Sequence, residues 1–188
     1  MSEPTPLPGP ALALLELDSI ARGYVVADSV VKRATVTIAL AEAVTPGKYL
    51  LLFSGPVAEV QESFQAGVET AGRTLLDKLF LPMAADGLVA GLLGRFPGQY
   101  GESVGIVETH TVAATLLCAD TALKRADVTL ERLQLARGIG GKGVFVVSGE
   151  LHMVEAALEG AATAVEPHLL QTTELIQRPS SELFGRVL

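Results

Sequence analysis

The sequence predicts an α/β (α+β) chain made of two tandem copies of one small β-α-β-β-α-β domain. Three observations carry that expectation: an internal repeat, an apolar composition without a membrane-length run, and one order of element signals met twice. Residues 12–37, LALLELDSIARGYVVADSVVKRATVT, overlay residues 104–129, VGIVETHTVAATLLCADTALKRADVT, at a fixed offset of 92. Nine of these 26 positions are identical, including Glu16/Glu108, Asp28/Asp120, Lys32/Lys124 and Arg33/Arg125. The match resumes after a loop two residues longer in the second copy, where Gly47-Lys48 meets Gly141-Lys142 and Ser54-Gly55 meets Ser148-Gly149. Solenoid repeats run to roughly 20–50 residues; a period near 90 fits a duplicated domain instead.

The elements follow in order. Ala11–Leu17 is a short β-rich run, and Ser19 suits a helix N-cap. Ile20, Tyr24, Ala27, Val31 and Ala34 recur at helical spacing and are expected to form one buried face. In the second copy Thr111 is the cap, and Val112, Leu116, Ala119, Leu123 and Ala126 form the stripe. Val36–Glu42 reads as the next strand, Pro46-Gly47 as a turn, and Tyr49–Ser54 as a strongly apolar strand. Gly55-Pro56 opens a second helix reaching about Ala71, because proline is tolerated in a first helical turn. Leu79–Leu81 closes the first copy as a last strand. The second copy repeats this with Val128–Leu135, Gly143–Ser148, a helix from Glu150 to about Val165, and Leu169–Ile176. This order corresponds to a ferredoxin-like arrangement, helices on one face of an antiparallel sheet. The expected organisation is an extended arm over residues 1–10, a first domain over 11–94, a linker over 95–103 and a second domain over 104–188.

Composition narrows the function classes. The chain is 49% hydrophobic and only 19% charged. Its apolar runs stop short of the roughly 18–20 residues that a spanning helix needs, so no membrane partner is expected. No signal peptide is read at the N-terminus, and an apolar chain without membrane or export signals is expected to hide surface by oligomerising. Net charge is −7, and no basic cluster with interleaved aromatics occurs, which argues against a nucleic-acid partner. The lone Cys118 excludes an intramolecular disulfide and suits a reducing cytoplasm.

No catalytic constellation is expected. His110, His152 and His168 stand far apart, with no metal-ligand spacing. Glu16 and Glu108 repeat at matching strand ends, which suits duplicated structural positions better than an acid–base pair. Asp28 and Asp120 precede Lys32 and Lys124 by four residues, the favourable order for a helix ion pair. Cys118 flanks the apolar stripe and is expected to pack as a small hydrophobe. Arg137-Gly138-Ile139-Gly140-Gly141-Lys142-Gly143 has the glycines and lysine of a phosphate cradle. However, Lys142 leads into a strand, and no Ser or Thr follows it as a P-loop requires. A tight loop that needs glycine is the simpler reading.

Taken together, these residues resemble bacterial microcompartment shell proteins of the tandem-domain type. The likeness rests on the VGIVET strand, the Ala-Asp-x-x-x-Lys helix ends in both copies, the Gly-Lys turns, and Ile176-Gln177-Arg178-Pro179. It implies a homotrimer whose six domains form a pseudohexagonal tile, packed in a shell with single-domain hexamers and pentameric vertex proteins. It implies a central pore for small metabolites lined by Thr45, Pro46, Gly47, Arg137, Gly138, Ile139, Gly140 and Gly141. Lys32, Lys124 and Arg178 match tile-edge positions; Leu81-Pro82-Met83 in the first copy lacks the arginine, so unlike edges are expected. Some tandem members carry a cysteine before the Pro-Gly-Lys turn and hold an iron–sulfur cluster. Thr45 stands there, so no cofactor is expected. Arg137 or Lys142 would make the rim basic and favour anions. The alternative is a trimeric ferredoxin-like regulator that binds a small ligand at its glycine loop.

Overall fold

A computed structural model of the chain describes residues 7–98 and 100–183. Residues 1–6 of the expected arm lie outside them. The first compact unit contains β1 (Ala11–Leu17), α1 (Ile20–Arg33), β2 (Thr37–Val44), β3 (Lys48–Gly55), α2 (Val57–Ala71) and β4 (Leu75–Leu81). The second begins with α3 (Asp86–Leu92) and continues through β5 (Ser103–Thr109), α4 (Val112–Arg125), β6 (Thr129–Leu135), β7 (Gly143–Gly149), α5 (Leu151–Ala164) and β8 (Leu170–Gln177). Each unit has an antiparallel four-stranded sheet, ordered β2-β3-β1-β4 and β6-β7-β5-β8. The tandem βαββαβ reading therefore holds in both copies.

Local chemistry explains the elements. Ser19 Oγ accepts the Arg22 N–H at 3.3 Å and Thr111 Oγ1 accepts that of Ala114 at 3.1 Å, capping α1 and α4. Lys32-Arg33 and Lys124-Arg125 sit in the last turns, where cations meet the negative end of the helix dipole. Register is duplicated as faithfully as sequence. The β2–β3 ladder shifts between Ile38 and Leu40, and the β6–β7 ladder shifts between Leu130 and Arg132, at the same offset of 92. The last strand of the first copy is longer than expected and starts at Leu75.

The first core gathers Ala13, Leu15, Val26, Val30, Leu51, Phe53 and Val60 between the helices and one sheet face. Leu12, Leu14, Leu50 and Leu52, on alternate positions of the same strands, are buried as well. Strands buried on both faces carry continuous apolar runs rather than an alternating pattern, which accounts for much of the high apolar content.

Two expectations need correction. In α1 the buried positions are Gly23, Val26 and Val30, while Ile20, Tyr24 and Val31 are exposed. Two apolar stripes run side by side along this helix, and periodicity alone does not say which one faces the core. In α4 the corresponding stripe is buried at Val112, Leu116 and Ala119. The second correction concerns residues 85–94, assigned from sequence to the first domain. Helix α3 packs on α4 and β6, so the second compact unit starts at Ala85.

Core truncation gives a direct check. Phe53→Ala, at a fully buried position, is expected to cost about 3–5 kcal/mol. Met83→Ala, at an exposed one, should stay within about 0.5 kcal/mol. Chemical denaturation at a single protein concentration measures both.

Candidate functional site

The duplicated polar residues converge on two features in each unit: the turn between the second and third strands, and the C-terminal end of the first helix. In the first unit Thr45, Pro46 and Gly47 form an exposed turn, closed by the Gly47 N–H to the Val44 carbonyl at 2.8 Å. The Thr45–Pro46 bond is cis. Lys48 leaves the turn and points back along the sheet, its Nζ 2.6 Å from Glu16 Oε1. Glu16 is fully buried on β1, so the ammonium balances a carboxylate that water does not reach.

The second unit repeats this anchor. Lys142 Nζ lies 2.7 Å from Glu108 Oε1, but this carboxylate is 30% exposed. The turn it anchors is longer and left-handed at four positions: Ala136, Gly138, Gly140 and Gly141, with φ between 55° and 79°. Three are glycine, which adopts that region without a Cβ penalty. Ala136 is held there by its own N–H to the Lys142 carbonyl at 2.8 Å. Its carbonyl in turn accepts the N–H groups of Ile139 and Gly141. Arg137 is exposed, and its carbonyl accepts Gln134 Nε2 at 3.2 Å. Of the two cations considered for the rim, Lys142 therefore turns inward to Glu108. That also weakens the phosphate-cradle reading, which needs this ammonium on the loop.

Each helix end carries its i,i+4 ion pair, in unlike settings. Lys32 Nζ and Asp28 Oδ2 are 2.6 Å apart with both side chains exposed. Lys124 Nζ and Asp120 Oδ2 are equally close, but Asp120 is buried and its other oxygen accepts the Ala85 N–H at 2.7 Å. The first pair is screened by water and weakly held, whereas Lys124 is tied to a carboxylate that has lost its solvation. Arg178 is 86% exposed, with Nε 3.8 Å from Glu102 Oε1. Its backbone is left-handed and donates to the Glu102 carbonyl at 3.0 Å.

The donor set does not fit an iron–sulfur cluster. Thr45 offers a hydroxyl, a poor replacement for thiolate toward iron. Cys118 is fully buried, its thiol donating to the Ala161 carbonyl at 3.2 Å and pushed up to about 12 by burial. It is the small packed residue the sequence led one to expect. Among the described residues, no group of three or more His, Cys, Asp or Glu stands close enough to hold a metal ion. No described helix is long and apolar enough to cross a membrane.

Sequence reasoning named the glutamates and the turns but did not join them. The signal was present, since Glu16/Glu108 and Lys48/Lys142 both recur across the copies. Linking them required the strand register, which pairs Glu16 with Leu50 and Glu108 with Val144, two residues beyond each lysine.

A duplicated ferredoxin-like domain with lysine-anchored turns and charged helix ends defines the class of protein. Comparison with known families makes it specific. The BMC domain matches residues 11–84 and again 103–179, and the chain belongs to that bacterial microcompartment family. It is 37% identical over 179 residues to the bacterial microcompartment shell protein PduT of Citrobacter freundii, covering 95% of this chain and 97% of that protein. Among solved structures, a microcompartments protein from Desulfitobacterium hafniense superimposes with a TM-score of 0.82 at 34% identity, covering 93% of this chain and 98% of the other. The fused permuted hexameric shell protein MSM0275 of the RMM microcompartment shares the fold, with a TM-score of 0.57 at 23% identity over 82% of this chain and 83% of its own.

The two anchors are expected to differ in worth. Lys48→Met leaves the Glu16 carboxylate buried without its ammonium and should destabilise the protein by about 3–5 kcal/mol. Lys142→Met should cost clearly less, because water reaches Glu108. Denaturation midpoints of the two variants provide the comparison.

Proposed function

We propose that the chain is a non-enzymatic structural protein of a bacterial microcompartment shell, three copies of which form a pseudohexagonal tile. The family and the shell-protein relative support the role. The observation that carries the trimer is an imbalance between equivalent helix faces. Ile20, Tyr24, Val25 and Val31 of α1 are 38%, 65%, 49% and 46% exposed. Their counterparts Val112 and Leu116 are fully buried, and Leu117 and Leu123 are half-buried. A contiguous apolar helix face is seldom left in water, and a heterologous contact that closes into a ring covers it in every copy.

In such a tile the turns Thr45–Gly47 and Arg137–Gly141 line the central opening, through which small metabolites pass. Three copies place six turns there, three neutral and three carrying Arg137. Lys32, Lys124 and Arg178 lie on the edges that meet neighbouring tiles. Single-domain hexamers and pentameric vertex proteins complete the shell. The glycine-loop regulator is not favoured, because Glu108 engages the lysine of that loop.

Electron microscopy of concentrated protein should show hexagonally packed sheets or tubes that Lys32→Asp/Lys124→Asp cannot form. Sheets that persist in the double variant would remove these lysines from the seam. No iron–sulfur cluster is proposed, given the hydroxyl at Thr45. Metal analysis after anaerobic purification should find no stoichiometric iron, and finding it would sink that part of the reading.

A further inference from the structure

We infer that the corner where α1 begins and α2 ends is a binding site for a small phosphorylated anion, held by Arg22 and Arg73. The site lies wholly within the first unit, and its chemistry does not depend on self-association.

The fold brings both arginines to this corner. Leu17, at the end of β1, pairs with Tyr49 on one side and with Leu75 on the other. The Asp18 N–H donates to the Thr74 carbonyl at 2.9 Å, which ties the start of α1 to the turn after α2. That turn, Gly72–Thr74, is a single 3-10 turn entered through a left-handed Gly72, φ 54°. Between helix start and turn lies a cleft of about 330 Å³, lined by Ser19, Arg22, Ala71, Gly72, Arg73 and Thr74. Small-molecule sites run from roughly 300 to 1,000 Å³, so this one suits a small ligand.

The charge on the cleft is of one sign. Arg22 Nε donates to the Thr70 carbonyl at 2.7 Å, which restrains the guanidinium and leaves its two Nη groups without a partner among the described residues. Arg73 is exposed and makes no ion pair among the described residues. The flanking Asp18 and Glu69 are exposed, do not line the cleft and pair with neither arginine. Ser19 Oγ accepts the Arg22 N–H, so its own hydroxyl proton is left to donate. Lys32, Arg33, Lys48, Lys124, Arg125 and Lys142 each have a carboxylate close by. In a chain of net charge −7, Arg22 and Arg73 are the exception. Two cations lining one cleft repel each other, and a phosphoryl group supplies the missing opposite charge. Its oxygens also match the planar fork of an arginine.

The second copy keeps the frame and drops the charge. There the His110 N–H donates to the Leu169 carbonyl at 2.9 Å, the counterpart of the Asp18–Thr74 tie. At the offset of 92 Ala114 replaces Arg22. Leu75 and Leu170 hold equivalent ladder places, an offset of 95 (170 − 75), at which His168 replaces Arg73. The corner therefore closes without either arginine, and the fold does not require the pair. Because Leu17 pairs with Tyr49, the cleft sits at the same end of its sheet as the turn Thr45–Gly47. In the tile proposed above it stands beside the opening, once per chain; that placement rests on the tile reading, whereas the site itself does not.

Isothermal titration calorimetry of the full chain at low salt, with inorganic phosphate and glycerol 3-phosphate as probes, tests the site. Saturable binding at one site per chain is expected for at least one probe, and the tighter of the two tells free phosphate from a phosphorylated metabolite. Affinity should fall about tenfold or more in Arg22→Gln and in Arg73→Gln, and stay unchanged in Arg95→Gln, which removes an exposed arginine elsewhere. Arg73 makes no ion pair in the fold, so Arg73→Gln should leave the denaturation midpoint in place and report on the site alone. No saturable binding by the parent chain, or binding that survives in Arg22→Gln/Arg73→Gln, would overturn the inference. Loss in Arg137→Gln with Arg22 and Arg73 intact would move the anion to the glycine loop and overturn it too. None of these results bears on whether copies associate, so the tile reading stands or falls separately.

Discussion

The inner strand that opens each sheet, β1 or β5, is the constraint on which the rest of the molecule depends. β1 pairs with β3 and β4 on its two sides, and β5 pairs likewise with β7 and β8. Every residue of β1 is buried, including Glu16 near its end. A carboxylate taken out of water needs an opposite charge within reach, and Lys48 supplies it from the first residue of β3. One ion pair therefore satisfies a buried charge and holds the root of the β2–β3 turn against the sheet. The same pair at Glu108 and Lys142 holds the root of a turn with a very different path. The anchor is common to both copies, while the loop beyond it has been free to diverge.

Divergence between the copies follows burial more than sequence. Asp28 and Asp120 are the same residue with the same lysine four positions on, yet one faces water and the other receives a backbone N–H from the start of α3. Ala39 and Glu131 occupy the same ladder irregularity. In the second copy Glu131 is buried and accepts the Ser148 hydroxyl at 2.8 Å. The aligned Ser54 is buried too, paired with Thr37 across the ladder, and the first copy has Ala39 where the second has Glu131. A duplicated domain thus holds chemically distinct settings for equivalent residues built on one template.

The chain's likeness to shell proteins goes with charges that are spent inside each unit. The conspicuous charged side chains are spent on strand ends, helix ends and two ties between helices, Arg33–Glu62 joining α1 to α2 and Arg125–Glu159 joining α4 to α5. These ties hold the shape of each unit.

The sequence by itself determined the duplication, the order of elements, the helix caps at Ser19 and Thr111, the paired aspartate and lysine on each helix, and the packed character of Cys118. All of these depend on contacts between near neighbours in the chain or on burial signalled by residue type. Only the tertiary structure decided which stripe of α1 is buried, that α3 belongs to the second unit, and that Glu16 and Glu108 are the partners of Lys48 and Lys142. The stripe was illegible because α1 is apolar on two adjacent faces, and only packing chooses between them. The lysine partners were illegible because they lie more than 30 residues away, across a strand register that no local pattern encodes.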